Sequence, residues 1–226
     1  MTSGRTVAAV GSSESLVAQW SGGSAYPVAL RQLLSEAEQQ RHDRLRRSND
    51  RRDYLAAHLL VRVLVRGLAV GAGLDHLDPA SPLDVAALAA IEIEQRCPTC
   101  GRTGHGRPAV VRGPDVAVSW AHADGVVAAA VTPGRTTAIG IDVERIGARS
   151  ERAAGVSTST WCRMECAVKA GLTDLDQVLA HGVPPTPGLC WTEHAVDLAG
   201  HLTQVTVLAP GVARVCPATP PGMPRP

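Results

Sequence analysis

The sequence predicts a mixed fold of the α+β class, on three observations. Leu55, Leu59 and Val63 recur at helical spacing within one long stretch. Val116–Trp120 and Val126–Val131 read as a strand pair turned at Asp124-Gly125, a dipeptide suited to tight hairpins. A further helix and further strands follow the break at Pro133-Gly134, so each half offers a helix and several strands. A length of 226 residues suits one large domain or two small lobes.

The elements follow in order. Residues 1–24 are rich in Gly and Ser around one strand, Thr6–Val10. Ser35 and Glu38 form a capping box, in which each side chain bonds the other's backbone amide, and predict a helix to about Arg47. Asn49-Asp50 starts the next helix, which runs to about Gly71. Residues 71–90 read as a looser connection, and Ile91–Glu94 alternates as a strand should. CPTCGRTGHGRP, residues 97–108, reads as a turn-rich loop. After Pro133-Gly134, Thr137–Glu144 is predicted as a strand, and residues 145–160 show no period. Thr160 caps a helix from Trp161 to about Ala170, stopped by Gly171. Leu189–Val196 and Leu202–Leu208 predict a closing hairpin, and residues 217–226 a disordered tail.

Composition narrows the function. The hydrophobic share is 45% and there is no Phe, so Ala, Val, Leu and Ile must build the core. Net charge is only +1, but residues 41–66 carry eight Arg and three Asp, a local +5 that suits an anionic ligand. No apolar run is long enough to span a membrane, and the N-terminus lacks the apolar core of a secretory signal. Six unpatterned Cys do not read as a disulfide scaffold, so the expectation is a cytoplasmic protein with reduced thiols.

Several residues could carry chemistry. Asp142 and Glu144, two apart on a strand, share one face. Two carboxylates aimed at one point need a cation between them; oxygen-only ligands favour a hard ion such as Mg²⁺, and the competing reading is a solvated edge strand. Trp161, Glu165 and Lys169 are spaced i, i+4, i+8 on one helical face. Lys169 is the only lysine beside 21 arginines. Its compact charge and mobile proton suit a phosphate oxygen or a leaving group, against the alternative of a surface Glu–Lys pair. His122 ends a strand before a turn, where a structural role is the commoner one. Residues 101–108 leave backbone amides, Arg102 and Arg107 to grip an anion. Cys97 and Cys100 read as half of a zinc knuckle with His105 as a third ligand, or as a tight turn with free thiols; no fourth ligand lies nearby in sequence.

Together these pieces resemble the Sfp-type 4′-phosphopantetheinyl transferases. The order matches: LAAHLLVR at 55–62, GRP at 106–108, SWAH at 119–122, GIDVE at 140–144 and W-x-x-x-E-x-x-x-K at 161–169. The resemblance covers about residues 28–172. It implies two similar α/β lobes related by a pseudo-twofold axis, with the active site between them. The corresponding division is an N-terminal CoA-binding lobe, 1–134, a catalytic lobe, 135–216, and the tail, 217–226. It implies Mg²⁺-dependent transfer of phosphopantetheine from coenzyme A to a serine of an acyl or peptidyl carrier protein, releasing adenosine 3′,5′-bisphosphate. Asp142, Glu144 and Glu165 would hold the metal, and Glu165 would take the serine proton. Lys169 would contact the CoA phosphates, and His122 the nucleotide's phosphate. Arg41, Arg102 and Arg107 would bind CoA. The family implies a monomer without nucleic-acid or membrane partners.

Two departures stand out. Met164 replaces the lysine that usually precedes the family's glutamate, and only residues 145–160 separate the DxE strand from the helix, where the family has a longer segment. They support a second reading, a homologue that binds CoA or a carrier protein without turnover. A third reading, a nucleic-acid module on the Arg-rich helices and the CPTCG turn, is opposed by near-neutral charge and few aromatics.

Overall fold

The first strand, β1, runs Val7–Ser12 and splits its side chains between two cores. Val7 and Ala9 face one; Ala8 and Val10 face the other. The computed structural model describes residues 5–21, 28–70, 83–97, 100–135, 137–147, 155–198 and 200–218. Among these, seven helices and nine strands make a mixed α+β architecture with three sheets. None of the helices is long and apolar enough to cross a membrane.

The main sheet has the order β4-β5-β1-β9, with β4 at Val116–Ala123, β5 at Val126–Pro133 and β9 at Arg214–Pro217. The β4–β5 hairpin turns at Asp124-Gly125 as predicted, with φ of 46° and 85°. Two consecutive positive φ values explain that dipeptide. Strand β9 pairs parallel with β1. Its last residue and Ala218 correct the disordered-tail expectation. Pro217 lies opposite Val10, and the buried Ala218 donates its amide to the Val10 carbonyl at 2.7 Å. Residues 219–226 lie outside the described residues.

One face of this sheet is covered by α4, Ser48–Ala69, following α1, Ser13–Trp20, α2, Val28–Arg31, and α3, Glu36–Arg44. Leu55, Leu59, Leu60 and Leu64 of α4 are buried against Val118, Val127 and Val131. Each such side chain contributes roughly 1.5–3 kcal/mol relative to exposure. The opposite face packs on a second sheet of order β6-β8-β7. Here β6 is Gly140–Arg145, β7 Cys190–Leu198 and β8 His201–Ala209. Small residues on the first sheet, Ala8, Ala128 and Ala130, meet Ile141, Val143, Val205 and Val207 on the second. The outer side of the second sheet takes α6, Thr158–Lys169, through Cys166, Ala170, Leu208 and Trp191. Strands β2, Glu92–Arg96, and β3, Arg107–Arg112, make a separate two-stranded ribbon.

Several expected boundaries move. Helix α3 ends at Arg44 rather than near Arg47, because Leu45 has already turned to extended backbone. Helix α4 starts at Ser48, just before the expected Asn49-Asp50. Helix α6 begins three residues earlier than expected, because Ser157 and not Thr160 is the cap: its hydroxyl accepts from the Thr160 amide. Helix α1 was not expected in the Gly/Ser-rich start; Ser12 caps it. Two short helices, α5 at Val85–Ala89 and α7 at Leu175–His181, carry Asp caps at Asp84 and Asp174.

A buried polar cluster joins α3 to α4. The capping-box residue Glu38 also accepts from His58 Nδ1 at 2.6 Å and from Arg62 Nη2 at 2.7 Å. Burial alone would raise the Glu38 pKa, but the hydrogen bonds from His58 and Arg62 and the positive charge of Arg62 outweigh it and hold the carboxyl down at about 2. Burial drives His58 below its ordinary value. A neutral ring facing a carboxylate must carry its proton on Nδ1. Both groups have depressed pKa values, so both contribute stability near neutrality and lose it on acidification. Between the ordinary carboxyl value of 4.5 and about 2, Glu38 alone should cost the fold on the order of 3 kcal/mol. Urea unfolding at stepped pH should show this loss in the native chain and a much flatter profile in Glu38→Gln. Equal slopes would remove Glu38 from the account.

Candidate active site

Strand β6 carries the two paired carboxylates because its other side chains, Ile141 and Val143, are needed in the core between the sheets. Alternation therefore turns Gly140, Asp142 and Glu144 to the α6 side. Gly140 is what lets the helix approach: a Cβ there would lie 2.1 Å from the Cys166 carbonyl oxygen. At this separation Lys169 Nζ donates to Asp142 Oδ1 at 2.6 Å. The i, i+4 spacing brings Lys169 near Glu165, but the hydrogen bond goes to the strand.

Asp142 is 4% exposed, and its second oxygen, Oδ2, is buried without a hydrogen-bond partner. An unmatched carboxylate oxygen is costly in a protein interior. The fully buried Cys162 thiol lies close enough to feel this charge. Burial first, and Asp142 next, push the thiol pKa up. Glu165 is half-buried. Burial raises its pKa, Lys169 opposes and Asp142 adds to the rise. For Lys169 burial works against the charge, but Asp142 and Glu165 prevail and keep the ammonium above its ordinary value. Glu144 is half-buried on the same strand face. Asp142, Glu144 and Glu165 do not draw their oxygens within 4.8 Å of one another. Among the described residues only Cys97, Cys100 and His105 form a group that close.

Four of the five sequence motifs are linked by direct contacts, and the fifth, GRP, lies against the turn that follows the last of them. His58 in LAAHLLVR meets the Trp120 ring of SWAH edge-on, with centroids 4.6 Å apart. Ser119 of SWAH accepts from the Ile141 amide of GIDVE at 3.1 Å, which ties the edge of the first sheet to the second. Asp142 then reaches Lys169. Gly171, which ends the α6 turn with φ of 76°, lies under the Arg107 guanidinium of GRP; a Cβ there would fall 1.8 Å from Nη1. Arg107, Pro108, Ser119, Trp120, Lys169 and Gly171 line one cavity of about 400 Å³.

His122 falls outside that cavity. It continues β4 into a second one of about 510 Å³, shared with Arg47, Arg52, Asp53 and Arg145. Its surface is exposed, but the cavity walls desolvate the ring and lower its pKa, with Asp53 opposing and Lys169 reinforcing. Asp53 fixes this region: its carboxylate accepts from the Ser13 hydroxyl and from the Gly125 amide at 2.9 Å. Arg41 sits in neither cavity; it donates to the Gly104 carbonyl at 3.0 Å and tethers the glycine-rich loop. Arg102 is exposed on that loop. Met164 is buried, so the helix face where the resembled family has a lysine is turned inward.

Sequence reasoning missed Ser119, Trp120 and Gly171 as cavity residues, although all three lie within or beside the quoted motifs. The strand alternation of SWAH would have put Trp120 and His122 on one face. No family model matches this chain, and comparison with curated proteins finds no match.

If Asp142 and Lys169 share one electrostatic site with Glu165, their removal must act in opposite directions. Asp142→Asn should lower the Glu165 pKa and Lys169→Met should raise it. A carbon-detected NMR titration of the Glu165 carboxyl reads both; shifts of the same sign, or none, would break the grouping.

Proposed function

We propose that this chain transfers the 4′-phosphopantetheine of coenzyme A to a serine of an acyl or peptidyl carrier protein. The observation that carries the reading is the chain of contacts through four of the motifs, joined by GRP through the cavity that Lys169 and Arg107 both line. The resemblance supplies the order of those motifs. Their meeting in space supports a common task, and two related lobes around a central site would be consistent with the layering of α4, two sheets and α6.

The chemistry suits the side chains. A pyrophosphate needs several cations, which Lys169, Arg107 and the Arg47–Arg52 region can provide. The unpartnered Asp142 Oδ2 and the desolvated Glu165 carboxyl fit a hard, oxygen-seeking ion, with Glu144 on the same strand face. Mg²⁺ bound there supplies charge neutralisation at the reacting phosphate. Glu165, with its raised pKa, accepts the proton of the carrier serine. The serine oxygen bonds to the phosphorus that carries pantetheine, and the bond from that phosphorus to adenosine 3′,5′-bisphosphate breaks. Lys169 steadies the departing phosphate. His122 and the arginines of the second cavity hold the nucleotide end.

The buried Met164 favours one second reading, a homologue that binds CoA or a carrier protein without turnover. Intact-mass spectrometry of apo carrier proteins, incubated with the chain, CoA and Mg²⁺, separates the two. The expected result is a gain of one phosphopantetheine, abolished by a metal chelator and slowed roughly 100-fold or more in Lys169→Ala. CoA binding without mass gain on any carrier selects the second reading. Neither binding nor gain overturns both.

A further inference from the structure

We propose that Cys97, Cys100 and His105 bind a zinc ion that pins the loop between β2 and β3. The site is separate from the carboxylates and stands whether or not the cavity transfers anything.

The three ligand atoms lie within 4.8 Å of one another, and Cys100 Sγ is 3.2 Å from His105 Nε2. Two ligands around a tetrahedral zinc, at about 2.3 Å for sulfur and about 2.0 Å for nitrogen, must sit roughly 3.5–3.8 Å apart. The cluster therefore closes on an ion with only small side-chain adjustments. Thiolate and imidazole donors select zinc over Mg²⁺ or Ca²⁺, which prefer oxygen.

The backbone is shaped for this. The Cys97 carbonyl accepts from the Gly101 amide at 2.9 Å, and the Cys97 amide donates to the Arg102 carbonyl at 3.0 Å. These two bonds hold Gly101 and Arg102 against Cys97. Gly106, with φ of 90°, then passes so close that a Cβ would lie 2.4 Å from the Arg96 carbonyl oxygen. Only glycine allows this return, and the return is what carries His105 back to the cysteines. Neither cysteine is in a disulfide, and Cys100 is exposed, so an ion can enter. Three protein ligands leave the fourth position to water. The ion would fix the segment that Arg41 also tethers through Gly104, and from which Arg107 enters the cavity.

The test uses the full chain without a metal-binding tag, purified with reductant from zinc-supplemented culture. Elemental analysis should give about one zinc per chain. Exchange with Co²⁺ should produce a thiolate-to-metal charge-transfer band and the visible bands of a tetrahedral ion. Both signals should vanish in Cys97→Ser/Cys100→Ser and persist in Cys190→Ser/Cys216→Ser, which removes the other two cysteines that are not fully buried. Absence of zinc and of the cobalt bands in the native chain would overturn the proposal. So would bands that survive in Cys97→Ser/Cys100→Ser. The Co²⁺ titration of the native chain decides the matter even if a variant fails to fold.

Discussion

The close approach of α6 to β6 at Gly140 is the constraint on which the site depends. A side chain there would occupy the space of the Cys166 carbonyl, so any residue other than glycine must push the helix away. At the observed separation, the strand's Asp142 and the helix's Lys169 form a hydrogen-bonded ion pair at the edge of the protein interior. A partly buried pair of this kind depends on geometry more than on charge alone. Displacing the helix would also move Gly171 from under Arg107, because the same helix ends there. One missing methyl group thus sets the spacing of an acid, a lysine and an arginine drawn from three elements.

The rest of the molecule holds that contact in place from behind. Ile141 and Val143 anchor β6 between the sheets, so its carboxylates have only one side to face. Ser119 joins the edge of the first sheet to β6, and the Glu38–His58–Arg62 cluster reaches the same edge through Trp120. On the outer surface, Glu193 of β7 accepts from Ser159 at 2.7 Å and pairs with Arg163, which fixes the other end of α6. Buried polar networks specify geometry, and among the described residues Asp142 Oδ2 is one of four buried side-chain polar atoms without a hydrogen-bond partner, beside the Tyr54 hydroxyl, Arg62 Nε and Arg145 Nε.

The parts of this arrangement legible in the sequence were those with local causes. The 3.6-residue period of α4, the Asp124-Gly125 turn, the capping box at Ser35 and Glu38 and the alternation of β6 each depend on neighbours a few residues apart. Short helices such as α2 and α5 have too few turns for a period to show. The pairing of β9 with β1 joins residues near the two ends of the chain, and the Pro-rich composition after it conceals it. For the site, sequence spacing paired Asp142 with Glu144 and Glu165 with Lys169, and the family resemblance joined the two pairs. It could not decide which carboxylate Lys169 bonds, because that depends on the helix–strand distance. Nor could it separate His122 from the Lys169 cavity, which requires knowing where β4 leaves one pocket and enters the next.

If Lys169 and Arg107 line an anion site for coenzyme A, both must contribute to its binding, and calorimetric titration of CoA with Mg²⁺ present measures that contribution. The native chain should bind about one CoA, and Lys169→Met should weaken binding by roughly tenfold or more. The urea midpoint of each variant shows that it remains folded. An affinity unchanged in both Lys169→Met and Arg107→Ala would contradict the account.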